Sequence, residues 1–253
     1  MFQALTDILQ HPAIWRVGQV PANSKPAIPT GFAALDRALP GHGWEQGAMS
    51  EVLANEQGIG ELLLLAPALR HATSKGKNVV LLAPPYHLFP HAWESAGISL
   101  NQLLVVTAAG TNLLWAIEQA CRSKACSIVV ASTTSCRKEM TYPALRRLHV
   151  AADTGGSKLI LMRPQNVSDQ ASPAPTRIVI DSAGGELTLR IIKRRGGVQA
   201  QTIRLSVFPE HWARRTVEHA QAAGAQPRLL SRRPDALVEA FVPAAPRRIP
   251  ASR

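Results

Sequence analysis

Cysteine is scarce in this chain: Cys121, Cys126 and Cys136 form neither an even set nor a Cys-x-x-Cys pair. A disulfide framework is excluded, and a reducing compartment is the expectation. Long apolar runs are missing as well. The longest, around Leu62 to Leu65, is interrupted by Pro67, far short of the ~20 residues a membrane helix needs. The opening MFQALTDILQ has neither a basic flank nor a signal-type apolar segment, so a cytoplasmic location is expected rather than secretion. Aromatics supply only 5% of the chain, yet hydrophobic residues make up 46% of its 253 positions. That fraction excludes wholesale disorder, and the length suits one medium domain with extended ends.

Acidic residues are what the last quarter lacks. Residues 1–186 carry 15 basic and 13 acidic side chains, whereas residues 187–253 carry 13 and 4, so +9 of the net +11 lies there. A basic end of this kind meets nucleic acid or an acidic protein surface, or simply solubilises.

The dense part of the sequence alternates between strand and helix patterns. Met49 to Leu53 reads as a buried strand, Glu61 to Ser74 as a helix, and NVVLLA from Asn78 as a strand covered on both faces. A short helix at His91 to Ala96 follows, then a strand at Leu103 to Val106 and a helix at Leu113 to Ser123. Ser127 to Ala131 (strand), Pro143 to Ala152 (helix) and Leu159 to Met162 (strand) continue the series. The pattern predicts an α/β fold with a mostly parallel sheet between helices. RIVID, ELTLRIIK and QTIRLSV then alternate with period two around paired glycines, predicting antiparallel hairpin strands at the C-terminal side of the sheet. PQNVSDQASPAP, before them, reads as a mobile or functional loop. Three segments follow: an arm over 1–29 with a short helix and strand, a core over 30–206, and a basic, Pro/Arg-rich flexible tail over 207–253.

Within the core, Thr30, Gly31, Leu35 and Asp36 form a T-G-x-x-x-L-D string, followed by the strand SEVLA, the loop NEQGIG and a helix. This order resembles the ATPase core of the RecA recombinase family over roughly residues 28–205. A working phosphate loop of that family reads G-x-x-x-x-G-K-[ST]: backbone N–H groups and the Lys hold phosphates, and the hydroxyl holds Mg²⁺. Aligned on Gly60, this chain has Asn55 for the first Gly, Glu61 for the Lys and Leu62 for the hydroxyl. Ala131 stands where the family's next strand supplies a Mg²⁺-positioning Asp, and Pro85 where it supplies a catalytic Glu. A carboxylate at ~4 Å from a phosphate, in place of a cation, turns about 4 kcal/mol of attraction into repulsion at a dielectric near 20. The resemblance thus implies a pseudo-ATPase with no catalytic residues and no cofactor.

GIGELLLLAPAL, LLAPPYHLFPHAWESAGI, LLWAIEQACRS and LRRLHVAADTGGSKLILMRP, within residues 58–164, resemble the ImuA family of translesion-synthesis accessory proteins, which is related to the SulA cell-division inhibitors. The resemblance implies an SOS-response factor that contacts an ImuB-like Y-family polymerase homologue, RecA, and the error-prone DNA polymerase III alpha paralogue. It implies association with the nucleoid after DNA damage. A SulA-like block of the tubulin-like division ring protein is the alternative.

His87 and His91 have the spacing of a metal pair, but prolines flank them and no third ligand is near. The cysteines could ligate zinc with His149, but Cys126 begins a strand and Cys121 lies on a helix, so core or surface thiols are expected, and the hydroxyls from Ser132 to Ser135 lack the His/Asp partners a nucleophile would require. Trp44, Trp93 and Trp115 are expected in the core. Partner-binding candidates are Ile14, Trp15, Arg16 and Val17 in the arm, and Trp212, Arg214, Arg215, Arg228, Arg232, Arg233, Arg247 and Arg248 in the tail. By analogy with RecA filaments, the arm is expected to dock on RecA or on a second copy. Arg137, Lys138, Arg146, Arg147, Arg194 and Arg195 are candidates for weak, salt-sensitive contact with nucleic acid.

Overall fold

The computed structural model describes residues 25–108, 110–134, 140–183, 186–195 and 202–207. A two-residue strand, β1 (Ala27–Ile28), pairs antiparallel with β2 (Trp44–Glu45), and helix α1 (Ala33–Ala38) lies between them. The main sheet holds β3 (Met49–Ala54), β4 (Asn78–Leu82), β5 (Leu103–Val106), β6 (Cys126–Ser132), β7 (Lys158–Pro164), β8 (Thr176–Ala183), β9 (Glu186–Lys193) and β10 (Thr202–Leu205). Their spatial order is β10-β9-β8-β3-β7-β6-β4-β5. Strands β8 through β5 in that row are parallel, and β9 and β10 add antiparallel.

Strand periodicity of two sends alternate side chains to opposite faces, and each face meets its own helices. Val52, Leu81, Val130, Ile160 and Ile178 pack with α2 (Glu61–Ser74) through Leu64, Leu65 and Leu69. Met49, Val80, Val129 and Leu161 pack with α4 (Thr111–Arg122) and α5 (Tyr142–Gly155) through Leu113, Ile117, Leu145 and Leu148. The short helix α3 (Pro90–Ser95) opens on Pro90, whose missing N–H costs nothing at a helix start. The α/β class and the antiparallel C-terminal strands are as the pattern predicts.

Three local readings are corrected. Helix α1 was not expected, because AALDRA is too short to show a period. Trp115 is 64% exposed on α4 instead of lying in the core with Trp44, which is 1% exposed. The 165–175 loop is pinned rather than free: Arg177 donates from Nη1 to the Ser168 and Gln170 carbonyls and from Nη2 to the Val167 carbonyl.

The T-G-x-x-x-L-D string is a brace. The Thr30 N–H donates to Asp36 Oδ1 at 2.8 Å, and the Phe32 N–H donates to the Thr30 hydroxyl at 3.1 Å. Gly31 sits at φ +86°, where a Cβ would lie 2.3 Å from Pro67 Cβ of α2. Gly31→Ala should therefore cost about 1–3 kcal/mol through overpacking and a left-handed backbone. Urea denaturation of the variant checks this, and an unchanged midpoint would show that α1 can shift freely on α2.

Candidate functional site: a phosphate-type loop closed by its own carboxylate

Open α/β sheets bind ligands at the carboxyl ends of their parallel strands, where a loop delivers backbone N–H groups to a helix start. In this chain that place is the loop from Asn55 to Gly60, between β3 and α2. Gly60 caps α2 at φ +108°. The next residue, Glu61, is 4% exposed and turns its carboxylate back into the loop. Its Oε1 accepts the Gly58 N–H at 2.9 Å, and its Oε2 accepts the Gly60 N–H at 3.1 Å. A helix N-terminus favours negative charge, and here an internal side chain supplies it. Burial first, then the charge and hydrogen bond of Glu61, push the Tyr86 hydroxyl well above the usual phenol range.

The residues aligned with nucleotide chemistry fall around this loop, with chemistry of another kind. Leu62 is 3% exposed and joins the core under the sheet. Ala131, with no exposure, packs on the opposite face with Met49 and Leu161. Asn55, Glu61 and Pro85 line a pocket of about 210 Å³ together with Ser132, Thr134 and Arg163. That is smaller than the ~300–1,000 Å³ of ligand clefts. The Ser132 and Thr134 hydroxyls bond each other at 2.7 Å.

Next to the pocket lies a charge cluster that the sequence reading missed. Glu51, in the middle of β3 and with no exposure, receives Arg163 Nη1 at 2.9 Å on Oε1 and Arg177 Nε at 2.7 Å on Oε2. The Ser172 hydroxyl adds 2.8 Å to Oε1, and Lys193 Nζ donates to the Ser172 carbonyl at 2.6 Å. The available signal was a lone acid in SEVLA and arginines flanking two apolar strands. At the other end of β7, Lys158 is 1% exposed and donates to Ser50 Oγ at 2.6 Å. Its Nζ stands 5.7 Å from the Trp44 ring, whose indole N–H has no acceptor among the described residues. Burial pulls Lys158 down to about 7, with Glu45 opposing and Arg195 assisting that shift.

The basic candidates are divided between surfaces. Arg147 pairs with Glu118 at 2.5 Å, on the carboxylate that also holds Arg122 and is kept below its usual range by both, against its burial. Arg195 pairs with Glu45 at 2.6 Å, and Arg194 donates to the Ala38 carbonyl. Arg146 is exposed on α5. Arg137, Lys138, the arm residues Ile14, Trp15, Arg16 and Val17, and the tail residues from Trp212 to Arg248 lie outside the described residues. Among the described residues no helix is long and apolar enough to cross a membrane.

No family model matches the chain. Over 124 residues, 49% of this chain, it is 28% identical to the RecA protein of Thermus thermophilus, of which the match covers 36%. It is 27% identical to RecA of Thermus aquaticus, over 36% of that protein. For RecA of Marinobacter nauticus the identity is 26%, over 35% of that protein. The chain thus spans about a third of the length of the curated relatives it matches. This weak homology, with the sheet described above, supports a RecA-like family and a RecA-like nucleotide-binding fold.

Proposed function

We propose that this chain is a non-catalytic, RecA-like accessory factor of the SOS response, of the ImuA kind, which supports error-prone translesion synthesis in the cytoplasm by binding proteins. Its partners in this reading are an ImuB-like Y-family polymerase homologue, RecA and the DNA polymerase III alpha paralogue. Contact with DNA is weak and salt-dependent. The observation that carries the non-catalytic part is Glu61. Its carboxylate accepts the Gly58 and Gly60 N–H groups that a bound phosphate would need, and it brings the wrong charge to share them. Leu62 and Ala131, both buried in the core, supply no oxygen for a metal. The ImuA-like segments from Gly58 to Pro164 carry the assignment to translesion synthesis.

Titration calorimetry with Mg·ATP should show no saturable binding to the full chain, and Glu61→Ala alone should not create hydrolysis. Saturable, Mg²⁺-dependent binding by the unaltered chain would sink the pseudo-ATPase reading. Affinity capture from cells treated with a DNA-damaging agent should recover the polymerase homologue. Recovery of the division ring protein in its place would select the SulA-like alternative.

A further inference from the structure

Helix α4 holds the sheet through Leu113, Ile117 and Cys121, four residues apart and without exposure. Trp115 is not part of that seam and stands 64% exposed. Glu118 and Arg122 follow it three and seven residues on, a spacing that keeps all three on neighbouring lines of one helix side. The Glu118 carboxylate accepts Arg122 Nη2 at 3.0 Å on one oxygen and Arg147 Nη2 of α5 at 2.5 Å on the other. It thereby joins the two helices one turn from Trp115. Beside Arg147, the outer side of α5 carries Arg146 and Val150, one turn apart and both exposed. Arg146 pairs with no carboxylate among the described residues.

This surface is rigid. A Cβ on Gly155, at the end of α5, would lie 1.8 Å from the Cys121 carbonyl oxygen of α4, so the helices touch backbone to backbone. The Ser157 hydroxyl donates to the same oxygen at 3.1 Å. A face fixed before its partner arrives loses little freedom on binding.

Composition indicates the partner. Three arginines against one carboxylate leave the face with an excess of two positive charges, and neither helix contains a lysine. Asp153, the other acid of α5, is held by Lys25. Tryptophan and arginine are enriched at the centres of protein–protein contacts, whereas Lys, Asp and Glu are depleted there. Nucleic-acid surfaces are much more positive, and this one has a carboxylate in its middle. We propose that the α4–α5 face docks an acidic, apolar segment of a partner protein. Trp115 and Val150 receive its apolar side chains, and Arg122, Arg146 and Arg147 its carboxylates. The proposal rests on the reading of this chain as a protein-binding factor, not on which protein it binds.

Fluorescence anisotropy of the full chain with a labelled synthetic helical peptide of Glu, Leu and Phe tests this. A peptide with Gln for Glu and a labelled oligothymidylate serve as comparisons. Trp115→Ala and Arg146→Glu alter exposed side chains, so both should keep the circular dichroism and melting temperature of the parent. The acidic peptide should bind saturably, and each variant should weaken it about tenfold or more. The Gln peptide should bind more weakly, and Phe89→Ala, at another exposed aromatic, should change nothing. No saturable binding by the folded parent, or binding indifferent to both variants, would overturn the proposal. So would oligothymidylate binding that the two variants abolish while the peptide is retained, which assigns the face to nucleic acid. Self-association lost in both variants would overturn it too, by assigning the face to a second copy. Capture from damaged cells separates this proposal from the partner assignment above. Recovery of the polymerase homologue by both variants as well as by the parent sinks the face alone. Peptide binding that needs Trp115 and Arg146, with no polymerase homologue captured, upholds the face and sinks the assignment.

Discussion

Glu51→Ala should lower the stability of the fold by about 3–5 kcal/mol, the largest single-residue effect expected in the core. Among the described residues Glu51 is the one carboxylate bonded to two buried guanidiniums, Arg163 at 4% exposure and Arg177 at 5%. Removing it leaves two cations in the interior with no counter-charge, and they cannot deprotonate to escape. The fall in melting temperature should be about 6–20 °C for a domain of this size. The sharper test replaces the whole set: Glu51→Met with Arg163→Met and Arg177→Leu. Apolar replacement of a buried ionic triad is often neutral or stabilising, so most of the lost stability should return. The 165–175 loop should nonetheless become labile to hydrogen exchange, because Arg177 also holds the carbonyls of Val167, Ser168 and Gln170. A single variant as stable as the parent would mean that water reaches the arginines.

Stability should rise between about pH 7 and pH 8.5, and Lys158→Met should remove that rise. Lys158 sits near pH 7 in the folded chain, against ~10.4 when unfolded. Between those values the unfolded chain holds a proton that the folded chain lacks, so raising the pH favours folding. Below about pH 7 both states hold it, and the fold bears the full cost of a buried ammonium, up to roughly 4–5 kcal/mol. Around Lys158 stand the Ser50 hydroxyl, the Trp44 ring, Glu45, Arg195 and His149. His149 is itself lowered, first by burial, so it is neutral in this window. Lys193, also lowered by burial, adds a contribution of the same sign. Above about pH 8.5 the buried thiol of Cys121, pushed up to about 12, works in the opposite direction. Urea titrations of parent and Lys158→Met at each pH isolate the lysine. The methionine variant should be the more stable at pH 7, and parallel profiles for the two proteins would refute the assignment.

Element type and the character of the loop were legible in the residues alone. The 3.6-residue period places a helix from Glu61 to Ser74, and the structure has it at those bounds. The strand at Leu103 to Val106 also coincides. The parallel core and the antiparallel finish follow from continuous apolar runs giving way to strict alternation. The proposed match of Glu61 and Leu62 to the lysine and hydroxyl of a phosphate loop rests on the sequence alone, because side-chain chemistry is carried by identity. Short elements left no such trace: α1 and the paired dipeptides β1 and β2 are held by contacts, not by period.

Tertiary structure alone decided which strands and charges meet. Periodicity says which face of a strand is apolar, but not which strand lies beside it, since parallel neighbours are joined by crossovers of a dozen or more residues and need not be consecutive. So Glu51, Arg163 and Arg177, far apart in the chain, form one buried cluster because β7 and β8 flank β3. Lys158 of β7 likewise meets the ring of Trp44 from β2, a residue distant in the chain. The apolar strand at Leu103 looks in sequence like any core strand, and only the order of the sheet makes it the outermost one among the described residues. Glu61 reads in sequence as a charge that repels phosphate. Folded, with Gly60 left-handed and the helix starting beside it, that carboxylate has taken the N–H groups for itself.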